Sequence, residues 1–108
     1  TCALPIYIGS RVLLLPVTTP MGNRIRYHLC TDDAISFIER VKPELAIFIH
    51  LGIVMIRRDP AKQAAMVEEA TGIRTIAAED LMTLDVGDNL VIGRADVHQG
   101  SWIPDSAP

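Results

Sequence analysis

Apolar residues recur along this chain in short runs of changing period, and the changes of period mark out its elements. Arg11 to Val17, RVLLLPV, is an apolar, β-rich run closed by Pro16 and the turn-forming TTPMGN, which predicts a buried interior strand and then a loop. Ala34, Phe37, Ile38 and Val41 then recur at helical spacing while Glu39, Arg40 and Lys42 face away. Thr31 as N-cap, Asp32 and Asp33 in a first turn where carboxylates oppose the helix dipole, and Pro43 as the stop frame that helix. Leu45 to His50, LAIFIH, is too short for a helix between Pro43 and Gly52 and too uniformly apolar for an exposed strand. It reads as a central strand covered on both faces. Pro60 opens a second helix through AKQAAMVEEATG, closed by Gly72 at positive φ. IRTIAA, LMTLDV and NLVIG supply three further strands, with Gly87 and Asp88 turning between the last two.

The order β-α-β-α-β-β-β is that of the α/β class, with helices packed on a mostly buried sheet. One domain over residues 7–93 is expected, followed by a polar tail over residues 94–108. At 108 residues, such a domain buries on the order of two thirds of its unfolded surface. Thr1 to Ile6, TCALPI, suits no targeting segment, and in reverse translation it spells the end of a common sequencing adapter. It is expected to be a read-assembly scar, set aside from the fold.

Composition narrows the function classes. Hydrophobic residues at 49% and charged residues at 21% describe a globular chain that packs. The net charge of -3, with Arg and Lys scattered, gives no footprint for gripping a nucleic-acid backbone. Leu45 to Ile56 is the longest apolar run, yet it contains His50 and falls short of the roughly 20 residues of a membrane helix. No secretory signal is visible and two cysteines make no disulfide framework, so a reducing cytoplasm is the expected location.

His50 is the leading chemical candidate. An imidazole at a strand end is commonly just hydrogen-bonded to backbone, but ligands in α/β sheets bind outside the carboxyl ends of strands, where His50 falls. The following Leu51-Gly52 permits close backbone approach. His28 lies 22 residues upstream, and a helix out and a strand back bring both histidines to one edge of the sheet. Cys30 reads as a small apolar filler, and Arg57 with Arg58 as a solvated pair able to meet a phosphate.

HLCTDDA from His28 to Ala34, IHLG ending at Gly52 and IAAEDLM ending at Met82 together resemble the C-terminal half of the metallo-β-lactamase αββα sandwich. The similarity is to the branch containing ribonuclease Z and the phosphoribosyl cyclic phosphodiesterases, and it covers about Val12 to Val91. It implies a metal-dependent hydrolase of phosphodiester type, with two zinc ions in the full-length protein. By position, His50 corresponds to the last metal-binding histidine and His28 to the general acid that protonates the leaving oxygen. Asp80 corresponds to an acidic group that orients ligands or holds a turn. The expected substrate is a small-molecule or nucleotide phosphodiester.

The family's His-x-His-x-Asp-His motif is absent, as are the upstream histidine and the bridging aspartate. Ile49 replaces the usual Thr before the histidine, and Leu81 the Gly of A-x-D-G. A truncated, inactive fragment that holds zinc weakly is therefore expected. The alternative is a small metal-free α/β interaction or regulatory module in which both histidines are structural.

Overall fold

A computed structural model describes residues 4–94, which fall into two compact units, residues 4–77 and residues 78–94. His98, most of the expected tail and the first three residues of the expected scar lie outside the described residues. The first unit contains α1 (Leu4–Tyr7), β1 (Val12–Thr19), β2 (Leu29–Cys30), α2 (Thr31–Val41), β3 (Leu45–Ile49), α3 (Ile53–Arg57), α4 (Pro60–Thr71) and β4 (Arg74–Ala77). The second contains β5 (Thr83–Val86) and β6 (Leu90–Gly93).

The chain is α/β, with a parallel four-stranded sheet in the order β2-β1-β3-β4. Parallel neighbours need a crossover, and α2 carries the chain from β2 to β3 as α4 carries it to β4. In register, Leu13 lies opposite Ala46 and Leu15 opposite Phe48, so these four share the face that packs with Ile38 of α2 and Val67 of α4. Burying each of the leucine, isoleucine, valine and phenylalanine side chains of this face stabilises by about 1.5–3 kcal/mol. Leu45, Ala46, Ile47 and Phe48 are all buried, the pattern of a strand covered on both faces.

β1 departs from expectation twice. It alternates buried and exposed positions, with Leu14 55% exposed, so only one of its faces is core. Pro16 does not close it, and pairing continues to Thr19. Proline is tolerated because β2 begins to pair only at Val17, which leaves one flank of β1 open at Pro16 among the described residues.

The α2 cap is also shifted by one residue. Cys30, not Thr31, is the N-cap, and the Asp33 carboxylate accepts from the Cys30 N–H at 3.0 Å and from its thiol at 3.3 Å. Thr31 cannot serve because its hydroxyl donates to Gln63 Oε1 at 2.8 Å. The C-terminal end follows expectation in outline: Lys42 turns left-handed at φ 53, donates to Ile38 O, and Pro43 follows. α4 starts on Pro60 behind an Asp59 cap and ends on Gly72 at φ 76.

β5 and β6 form an antiparallel hairpin closed at Val86 and Leu90. In the same unit Arg94 pairs with Glu79. Among the described residues no helix is long and apolar enough to cross a membrane.

Candidate functional site at the carboxyl ends of β1 and β3

The two histidines flank β1. Ile49 is in register with Pro16, so His50 comes one step beyond that level on one side. Leu29 is in register with Val17, so His28 sits one step before that level on the other side. Strands spaced by about 4.8 Å put β2 and β3 roughly 10 Å apart across β1. The ring centroids are nevertheless 6.4 Å apart and 8° from parallel, so the side chains lean together. Even with nitrogens facing each other, that spacing leaves about 4 Å between them, too far for a direct hydrogen bond. Both residues are solvent-exposed, so each ring can reach a third group.

His50 is placed by backbone geometry. It has φ 55, one of five non-glycine residues with positive φ among the described residues, and histidine is among the side chains that tolerate it best. The chain thereby turns out of β3 instead of extending it. Gly52 then lies against the end of β1, its N–H donating to Thr18 O at 2.9 Å. A Cβ at Gly52 would meet that oxygen at 2.7 Å, so only glycine permits the approach. Thr18 is available because β1 bulges there: Val17 and Thr19 pair with the consecutive residues Leu29 and Cys30, leaving Thr18 as the extra residue.

His28 is placed by a loop. Its N–H donates to Ile25 O at 3.1 Å, and Nδ1 lies 2.9 Å from Arg26 O. A carbonyl can only accept, so Nδ1 carries the proton and Nε2 is left to act as base, ligand or, when protonated, acid. Arg24 in the same loop pairs with Asp33 at 2.8 Å. Burial pushes the Asp33 carboxyl up, but the Cys30 N–H, the Arg24 guanidinium and the Cys30 thiol outweigh it and hold the group below the usual carboxylate range. Thr18 Oγ1, Thr19 Oγ1 and Asp32 Oδ1, at the end of β1 and the start of α2, are buried without a hydrogen-bond partner among the described residues.

Among the described residues, no group of three or more His, Cys, Asp or Glu side chains could hold a metal ion. The histidine pair supplies two donors, whereas zinc takes three or four from protein. The described residues do not by themselves fit a zinc centre.

Asp80 is exposed in the turn from Glu79 to Met82, where Met82 N–H donates to Glu79 O, and it belongs to the second unit. Arg57 and Arg58 are exposed at the end of α3. Cys30 is a free thiol with no exposed surface. The sequence reading missed the Thr18 bulge and the Gln63 contacts. Gln63 left one visible signal, a polar residue on the same helical face as the apolar Ala64 and Val67.

No protein-family model matches the chain. It is 38% identical over 72 residues to MJ1374 of Methanocaldococcus jannaschii, a protein described as uncharacterized. That match takes in 65% of this chain and 26% of MJ1374, so the chain spans about a quarter of that relative's length.

Proposed function

We propose that the chain is the carboxyl-terminal part of a cytoplasmic, metal-dependent hydrolase of metallo-β-lactamase fold that cleaves a phosphodiester. The observation that carries this is the parallel imidazole pair that flanks the carboxyl end of β1, His28 just before β2 and His50 just after β3, with ring centroids 6.4 Å apart. Two further features support it. Leu81 stands where the resembled motif has glycine, and it keeps a left-handed φ of 65, the conformation that favours glycine. Cys30 is a free thiol, which suits a reducing compartment.

The residues divide the work as follows. His28, its Nδ1 proton held by Arg26 O, presents Nε2 outward and in the imidazolium form donates a proton to the leaving oxygen. His50 would contribute one ligand to a metal ion. Asp80 acts within its own turn to set the course of the chain into β5.

The test is hydrolysis of bis(p-nitrophenyl) phosphate by the protein made from the complete gene. Replacing His28→Ala should lower kcat by about 10²- to 10⁴-fold with bound metal unchanged, whereas His50→Ala should lower metal content. Wild-type rates in both variants, or no hydrolysis by the metal-loaded protein, would count against the assignment.

A further inference from the structure

Both feet of the loop that carries His28 are fastened to a single buried atom. Gln63 Oε1, on α4, accepts the Met21 N–H at 3.0 Å and the Thr31 hydroxyl at 2.8 Å. Met21 is where the chain leaves β1 toward His28, and Thr31 is where it enters α2 three residues after it. Gln63 is 8% exposed and Thr31 has no exposed surface, so water competes poorly for these bonds. His28 itself is exposed. Its hydrogen bonds run to the Ile25 and Arg26 carbonyls of its own loop, and its ring lies parallel to that of His50.

We propose that Gln63 is a positioning residue for His28, holding the 21–31 loop so that the imidazole stays parallel to His50 at a fixed distance. This builds on the hydrolase assignment above, but it has its own structural consequence. His50 is anchored separately, through Gly52 and Thr18, so disturbing Gln63 releases one ring and leaves the other in place. A leucine at position 63 fills similar volume and accepts no hydrogen bond. A glutamate keeps the acceptor oxygens and both bonds.

The experiment reads imidazole signals by NMR in this chain, labelled on histidine. Gln63→Leu should abolish the His28 to His50 ring cross-peaks and average the His28 nitrogen shifts toward a mixture of tautomers. The His50 signals should stay unchanged, and Gln63→Glu should restore the wild-type pattern. In the complete protein, Gln63→Leu should lower kcat about tenfold to a hundredfold with KM nearly constant, because displacement by about 1 Å costs on that order. Intact ring cross-peaks and His28 shifts in Gln63→Leu overturn the proposal. Lost cross-peaks with unchanged kcat uphold the positioning and remove the hydrolase role for His28 instead. Should Gln63→Leu fail to fold, Thr31→Val removes one of the two bonds at constant volume, and unaltered His28 signals in that variant overturn the proposal equally.

Discussion

Gly52→Ala offers a direct probe of how His50 is held. The added Cβ would lie 2.7 Å from Thr18 O and 3.0 Å from Thr18 Cγ2, against an ordinary contact of 3.4 Å or more. The backbone must therefore withdraw by 3.4 minus 2.7, or 0.7 Å, from the end of β1. That shift lengthens the 2.9 Å Gly52 to Thr18 bond beyond hydrogen-bonding range, a loss of about 0.5–1.5 kcal/mol. Strain from overpacking adds about 1–3 kcal/mol. The sum, roughly 1.5–4.5 kcal/mol, lowers Tm by on the order of 6–36 °C in a domain of this size. Urea and thermal unfolding followed by circular dichroism measure it. Gly72→Ala is the control: it has φ 76 but nothing within 4 Å of the new Cβ, so only the left-handed torsion is penalised, by about 1–2 kcal/mol. A Gly52→Ala variant destabilised by less than Gly72→Ala would show that the close approach to Thr18 is not what holds the His50 turn.

Three other outcomes follow from the same contacts. The Asp33 carboxyl is held below its ordinary range when folded, so its stabilising contribution is fully present above the unfolded value near pH 3.9 and is lost as pH falls through the lower folded value. The urea midpoint of the wild type should therefore drop more steeply below about pH 4 than that of Asp33→Ala, which at neutral pH should be about 1 kcal/mol less stable. Cys30 has no exposed surface and donates to Asp33, so its reaction with a thiol reagent should be limited by opening of the fold, and labelling at the rate of a free peptide thiol would contradict the burial. Leu81→Gly should raise stability by up to about 1 kcal/mol, because the left-handed φ of 65 costs glycine nothing sterically, and hydrogen exchange across the β5–β6 unit reports it.

The elements that sequence made visible are those with local chemistry at their ends. Pro60 and Gly72 bracket α4, Gly87 and Asp88 fall in the loop closing the β5–β6 hairpin, and the apolar run from Leu45 to Phe48 is buried throughout. Gly52 was readable too, since a glycine after a strand-end histidine signals close backbone approach. What escaped depends on distant partners. β2 has only two residues and α3 only five, too few to establish a period. The cap moved from Thr31 to Cys30 because Gln63, 32 residues away, claims the Thr31 hydroxyl. The bulge at Thr18 and the continuation of β1 through Pro16 are set by where β2 docks, which no window on β1 contains. In the site, the meeting of His28 and His50 followed from connectivity alone, whereas the groups that hold each ring in place did not.

The most direct measurement is a long-range proton–nitrogen NMR correlation of the histidine rings, combined with ring-to-ring cross-relaxation, in mildly alkaline buffer. A protonated Nδ1 on His28, a bare Nε2 and cross-peaks between His28 and His50 are expected from the 2.9 Å contact to Arg26 O and the 6.4 Å ring separation. An Nε2-protonated His28 with no cross-peak to His50 would mean that the two imidazoles do not form one site.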